Sequence, residues 1–187
     1  MDIWDLPTSV NLMGVDWQIR YDFRAVLDIL KAYSDPEYED DEKILIALTI
    51  FYIGFDDMPE ECYNEALERM TEFIDMGVSE DKKPMPRVMD WEQDASIIIP
   101  AVNHVLGREV RAIKDFHWWS FLSAYMDIGE STFAQVVSIR RKKSTNKKLE
   151  KWEQEYYRDN KAMIDLKKRY TEEEKAEQDS LMALLPH

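Results

Sequence analysis

A dense block of aromatic residues constrains the fold of this chain more than any other feature of its sequence. The segment from His117 to Leu122 contains a histidine, two adjacent tryptophans and a phenylalanine. Each large ring buries roughly 150–250 Å² when it is covered. Such an area must either anchor a hydrophobic core or meet a binding partner. We expect a core anchor within a helical domain, with partner binding as the alternative.

Two further motifs accompany the aromatic block. Upstream, residues Asp90 to Asp94 read Asp-Trp-Glu-Gln-Asp, and downstream a basic run begins with Arg140 to Lys143. The order of these motifs resembles a family of small acidic proteins from tailed phages and prophages of Gram-positive hosts, designated by the gene-product number fifteen. In that family an acidic, aromatic patch is followed by His-Trp-Trp and then by a basic segment. The resemblance extends from Asp5 to Tyr157.

The resemblance implies a role in the phage tail gene cluster and no active site. It implies a tail assembly chaperone that binds the apolar, helical tape-measure protein transiently and helps to recruit tail-tube subunits. The tape-measure and tail-tube proteins are therefore the expected partners, and self-association stays open. Neither nucleic acid nor a membrane is expected as a partner. The candidate partner-binding residues are Asp90, Trp91, Glu92, Asp94, His117, Trp118, Trp119, Arg140, Arg141, Lys142, Lys143 and Trp152.

Acidic side chains outnumber basic ones, giving a net charge of −14 over 187 residues. This balance argues against general nucleic-acid binding, since phosphate neutralisation needs lysine and arginine. Residues 1–139 contain 28 acidic and 11 basic side chains, a net charge of −17, whereas residues 140–187 contain 10 and 13, a net charge of +3. We therefore divide the chain into an acidic helical body with an N-terminal hairpin, residues 1–139, and a basic, aromatic helical extension and tail, residues 140–187.

The basic run from Arg140 to Lys151 has three possible targets. It can fold back on the acidic body, meet an acidic partner or contact nucleic acid. The negative field of the whole chain opposes the third of these. The sequence alone leaves the first two open.

Apolar residues recur at helical spacing along most of the chain. An alternation of apolar and polar residues from Ser9 to Arg20 predicts a β-hairpin, and Asp22 can cap the helix that follows. Pro100 lies inside a helix predicted from Trp91 to Leu106, so we expect a kink or a break just before it. Residues 78–88 are predicted to form a loop. The sequence thus predicts a mainly α-helical, multi-helix single domain with a small N-terminal β-hairpin and a mobile helical C-terminal extension.

The sequence contains no pattern typical of an enzyme. His104 and His117 have no second histidine or cysteine at metal-ligand spacing. Cys62 is predicted to be a small buried hydrophobic residue. The five glycines are isolated, so no phosphate-binding loop is present. We expect a protein that is not an enzyme and that needs neither a cofactor nor a metal.

The N-terminus and the apolar runs bear on location. Residues Met1 to Asp5 lack the basic start and apolar run of a signal peptide, and the run from Ile44 to Phe55 is too short to span a bilayer. We expect the protein in the host cell cytoplasm and not in the mature virion. The alternative function is a small acidic regulator that binds a host protein or mimics nucleic acid through its carboxylates.

Overall fold

A short hairpin is followed by a series of helices. The computed structural model describes residues 4–77 and 86–183, and these form one two-stranded antiparallel hairpin and nine α-helices. The strands and helices are β1 Ser9–Leu12, β2 Val15–Gln18, α1 Phe23–Ser34, α2 Asp40–Phe51, α3 Tyr63–Ile74, α4 Ala95–Leu106, α5 Trp118–Met126, α6 Thr132–Ser144, α7 Lys151–Asp159, α8 Lys161–Ile164 and α9 Glu172–Ala183. The predicted helical fold with its N-terminal hairpin and helical C-terminal extension is confirmed. Most of the predicted loop, residues 78–85, lies outside the described residues.

The hairpin buries one face of β1. Val10 pairs with Trp17, Leu12 pairs with Val15, and the side chains of Val10 and Leu12 are buried in the core. Gly14 lies in the two-residue turn with a φ of 86°, a conformation that glycine adopts without strain. The isolated hairpin would be marginally stable, and packing against the helical body supports it.

Side-chain caps explain where the first two helices begin. Asp22 accepts a hydrogen bond from the amide of Arg24 at 2.9 Å, as predicted for the cap of α1. Glu39 and Glu42 form a reciprocal capping box at the start of α2, and the Glu39 amide donates to Glu42 at 2.9 Å. The acidic first turn of α2 also interacts favourably with the positive end of the helix dipole.

Helix α4 differs from its prediction. It begins at Ala95 and not at Trp91, and it continues through Pro100 without a break up to Leu106. Proline removes the hydrogen bond to the carbonyl four residues earlier, which belongs to Ser96. Ser96 and Pro100 both lie on the exposed side of the helix, where water can satisfy that carbonyl. The predicted break is therefore wrong.

The core has a large and a small part. The large part packs the hairpin, α1–α5 and the start of α6 together. The small part consists of Val136 and Ile139 from α6 and Ile164 from α8, all fully buried. Helix α6 crosses the predicted boundary between body and extension at residue 140, so the two parts share one helix.

Candidate functional site

Both tryptophans of the aromatic block are buried at the start of α5. Trp118 and Trp119 are each 2% exposed. Their indole Nε1 groups donate hydrogen bonds to the carbonyl oxygens of Ile74 at 2.9 Å and Phe73 at 2.7 Å. Those carbonyls end α3, where helical partners run out, and the Phe73 oxygen also accepts from the Met76 amide at 3.1 Å. The two tryptophans therefore close the end of α3 as well as filling the core.

His117 connects the N-terminal segment to α5. Its Nδ1 accepts a hydrogen bond from the amide of Trp119 at 3.0 Å, which caps the helix, and its Nε2 lies 3.0 Å from the carbonyl oxygen of Pro7. A carbonyl can only accept, so the proton resides on Nε2 and the ring is neutral. The ring also stacks on Tyr21, with 5.3 Å between centroids. Both ring nitrogens of His117 are therefore engaged within the chain.

Acidification should destabilise the fold through His117. Burial lowers the pKa of the imidazole below its ordinary value of 6.5, against the opposing effect of the Pro7 carbonyl. The unfolded chain therefore binds a proton at this position before the folded chain does. The stability that the neutral ring contributes is fully present above pH 6.5 and is lost as the pH falls from there towards the lower folded pKa.

Urea unfolding at about pH 7.5 and about pH 5.5 tests this expectation. His117→Asn keeps an acceptor at the helix cap but cannot be protonated, so it should reduce the loss of stability between the two pH values. His104→Asn is the control, because His104 lies exposed on α4. An equal loss in the wild type and in His117→Asn would contradict the prediction.

A buried ion pair joins the acidic motif to the basic run. Asp94 is 1% exposed and Arg140 is 5% exposed. The Arg140 Nη1 and Nη2 atoms donate to the two Asp94 carboxylate oxygens at 2.6 and 2.8 Å, which is bidentate geometry. Arg140 also donates to the carbonyl oxygens of Ile164 at 2.6 Å and Met163 at 2.9 Å. The basic run thus folds back on the acidic body at Arg140 and holds the end of α8.

Two other side chains of the acidic motif hold the chain after α8. The Gln93 side chain donates to the carbonyl of Asp165 and accepts from the amide of Lys167, both at 2.9 Å. The Asp90 carboxylate accepts from the Gln93 amide at 2.8 Å and from Arg169 at 2.9 Å. Burial opposes ionisation of Asp90, but the Gln93 amide and the Arg169 guanidinium outweigh it and keep the pKa of this carboxyl below its ordinary value.

The remaining residues of the acidic motif have different environments. Trp91 is half-buried, with its ring centroid 4.9 Å from Tyr125 and 6.1 Å from Trp118. It therefore joins the acidic motif to the aromatic block. Glu92 is exposed and forms an ion pair with Lys31 at 2.9 Å.

The basic run after Arg140 is only partly neutralised. Lys142 pairs with the buried Glu153 at 2.7 Å, and Lys143 pairs with Asp165 at 2.6 Å. Both partners belong to the extension and not to the body. Arg141 is exposed and makes no ion pair with any residue in the described ranges. Arg140, Lys142 and Lys143 therefore stabilise the fold through ion pairs, whereas Arg141 faces solvent.

The structure divides the candidate partner-binding residues by exposure. Six of them are buried and engaged within the chain, namely Asp90, Asp94, His117, Trp118, Trp119 and Arg140. Trp91, Lys142 and Lys143 are half-buried, whereas Glu92, Arg141 and Trp152 are exposed. In this conformation the six buried side chains cannot reach a partner, because large rings and a matched ion pair fill the interior. The other six remain candidates for binding.

Sequence reasoning missed the residues that hold the chain after α8. Gln93 was part of the acidic motif but received no role, and Arg169 was not singled out. An isolated glutamine or arginine gives no signal of its partner when that partner lies more than 70 residues away along the chain, as it does for both. The excess of positive charge after residue 139 was the only available indication.

Two of the open depressions on the described surface lie beside α1. One, of about 640 Å³, lies between α1 and α2 beside the end of the hairpin. The other, of about 600 Å³, lies between α1, the acidic motif and residues 167–175, and its ion pairs include Lys31–Glu92 and Arg169–Asp90. Within residues 4–77 and 86–183, no group of three or more His, Cys, Asp or Glu side chains could hold a metal ion. No helix in these ranges is long and apolar enough to cross a membrane.

Known proteins resemble this chain along most of its length. The family described as "Bacteriophage Gp15 protein" matches residues 3–166. The chain belongs to this family. No curated protein and no solved structure matches the chain. The match covers the hairpin, helices α1–α8 and both contact points of the Asp94–Arg140 pair, whereas Arg169 and α9 follow the region shared with the Gp15 family.

Proposed function

We propose that the chain is a tail assembly chaperone that binds the tape-measure protein transiently and helps to recruit tail-tube subunits. Membership in the Gp15 family over residues 3–166 carries this proposal, because it identifies a phage protein. The order of the acidic, aromatic and basic motifs gives the resemblance to proteins of the tail gene cluster.

The exposed apolar side chains agree with a role in binding an apolar client. Leu45, Ile53, Met126 and Trp152 are large apolar residues that lie about half or more exposed on the helical body and extension. A chaperone for an apolar helical client must present such surface and yet stay in solution. The net charge of −14 opposes self-association and supports solubility.

Co-expression with the tape-measure protein of the same phage tests the proposal. The two proteins should elute together in size-exclusion chromatography, and more of the tape-measure protein should stay in solution than when it is expressed alone. Addition of tail-tube protein should produce a ternary complex or release the chaperone. Separate elution with unchanged solubility would overturn the proposal.

The exposed part of the basic run is the proposed contact for an acidic surface of a tail partner. Arg141, Lys147, Lys148 and Lys151 are exposed, and so is Trp152. Reversing Lys147 and Lys148 together to Glu should weaken partner binding at low salt, and high salt should weaken the wild-type contact. Single reversals should do little, because an exposed pair contributes about 0–1 kcal/mol.

A matched variant controls for the altered net charge. Reversal of Arg108, exposed after α4, and Lys161, exposed at the start of α8, changes the charge by the same amount. It should leave binding of the partner unchanged in a pull-down with tail-tube and tape-measure proteins. If both double reversals weaken binding equally, the contact depends on net charge and not on the basic run.

A small acidic regulator is the second candidate. The exposed carboxylates of Glu37 and of residues 39–42 favour it, since they form a concentrated negative patch at the start of α2. A regulator of this kind would bind a basic surface of a host protein and would compete with DNA for it. The co-expression experiment separates the two candidates, because only the chaperone binds the tape-measure protein.

A further inference from the structure

We propose that the groove between α1 and α2 binds an amphipathic helix whose apolar stripe is flanked by lysine or arginine. This inference rests on the proposed function, in which the helix belongs to the tape-measure protein. It goes further by naming the surface of this chain that makes the contact and the chemistry of the segment that it accepts.

The floor of the groove is apolar and open. Tyr21 and Ala25 line one side, and Ile50 and Ile53 line the other, around a volume of about 640 Å³. Ile53 is 51% exposed although it is a large aliphatic residue next to the core. Covering this side chain and its neighbours would remove apolar surface from water, which favours association.

Hydrogen bonds hold the groove in shape before any partner arrives. The amide of Ile53 donates to the carbonyl of Gln18 at 2.9 Å, which fixes the segment after α2 against the hairpin. The Nη1 atom of Arg20 donates to the carbonyls of Thr49, Ile50 and Tyr52 at 2.8–3.1 Å. A preformed groove loses little conformational entropy when a partner binds.

The rim of the groove is negatively charged. Asp28 and Asp115 both line it, and neither forms an ion pair with another side chain in the described part of the chain. The third carboxylate, Asp22, is already paired with Arg24 at 2.9 Å. Arg20 is the arginine among the lining residues, and its guanidinium already donates hydrogen bonds to the carbonyls at the end of α2. An apolar floor with two unpaired carboxylates on its rim is complementary to an apolar stripe with basic flanks.

The walls favour a helix over an extended segment as the occupant. Ala25 and Asp28 lie on α1 and Thr49 and Ile50 on α2, whose backbone groups bond internally. The segments beside them are already paired, since the Arg20 amide donates to the Phe51 carbonyl at 2.8 Å and the Ile53 amide to the Gln18 carbonyl at 2.9 Å. No free strand edge is therefore offered at these positions for pairing. Leu45 and Thr49 lie four residues apart on α2, and Ile53 follows two residues after the end of that helix. The Thr49 hydroxyl donates to the Leu45 carbonyl at 2.8 Å, so it is already engaged within the helix.

The first experiment measures binding of a designed helical peptide to the full chain. The peptide carries leucines at positions i, i+3, i+4 and i+7 with lysines beside them, and a twin carries glutamates in place of the lysines. The lysine peptide should bind at least about tenfold more tightly than its twin, and added salt should reduce the difference. Equal binding of the two peptides would overturn the proposal.

Two substitutions locate the contact, each with a matched control. Ile53→Ser should weaken binding of the lysine peptide about tenfold, whereas Met126→Ser should not, since Met126 is even more exposed but lies on α5. Asp28→Lys should weaken binding and remove most of its salt dependence, whereas Glu68→Lys on α3 should change neither. Each substituted side chain is exposed, and the melting temperature of each variant checks that the fold is kept. Equal effects of a variant and its control would place the contact elsewhere and overturn the proposal.

The same variants are then tested against the tape-measure protein. If it binds the wild type and all variants equally, the groove is excluded while the chaperone function stands. If it binds none of them but the peptide binds in the groove, the groove stands and the tape-measure protein is not its partner. A concentration-dependent dimer that Ile53→Ser abolishes would identify a second copy of the chain as the occupant and would overturn the proposal.

Discussion

Replacing Trp119 by alanine should lower the free energy of unfolding by about 3–5 kcal/mol, the range for removal of a buried aromatic ring. Trp119 is 2% exposed, its ring packs 5.8 Å from Phe73, and its Nε1 donates to the Phe73 carbonyl at 2.7 Å. The substitution would leave a cavity in the core and would remove the indole donor from the Phe73 carbonyl, which keeps only its hydrogen bond from the Met76 amide at 3.1 Å. Urea unfolding followed by circular dichroism measures the loss.

Two further variants separate the contributions at this position. Trp119→Phe keeps most of the ring area but removes the Nε1 donor, so it should cost about 1–3 kcal/mol for the lost buried hydrogen bond together with the lost ring volume. Trp152→Ala is the control, because Trp152 is 50% exposed on α7. If Trp119→Ala and Trp152→Ala destabilise the protein equally, Trp119 is not a core anchor.

Replacing Arg140 by alanine should destabilise the fold by about 3–5 kcal/mol, because it leaves Asp94 buried without its partner. Asp94 accepts two charge-assisted hydrogen bonds from Arg140 and is 1% exposed. The carbonyls of Met163 and Ile164 would lose their donor as well. The amides between α8 and α9 should therefore exchange their hydrogens faster in this variant than in the wild type.

The neighbouring arginine is a matched control for this prediction. Arg141→Ala removes the same side chain from the next position of α6, where it is exposed, and should change stability by less than about 0.5 kcal/mol. A double variant, Arg140→Met with Asp94→Leu, removes both buried charges and should recover much of the stability. Equal unfolding free energies for Arg140→Ala and Arg141→Ala would contradict the structural role of the buried pair.

The prediction of partner-binding residues shows where motif reasoning fails. Arg140 was grouped with Arg141, Lys142 and Lys143 as one basic cluster, but successive residues of a helix point about 100° apart. Arg140 consequently faces Asp94 in the interior while Arg141 faces solvent. A run of like charges in the sequence does not state which member faces inwards, because that depends on the element packed against the helix.

The sequence by itself determined the helical class, the hairpin and the buried aromatic block. Periodicity, capping residues such as Asp22 and large ring area act over a few residues, so they can be read locally. Only the tertiary structure decided that Asp94 pairs with Arg140, that Gln93 and Asp90 hold residues 165–169, and that Pro100 stays inside α4. These outcomes depend on contacts between residues far apart along the chain and on which helix face meets solvent. The groove beside Ile53 likewise exists only because α1, α2 and the end of the hairpin come together.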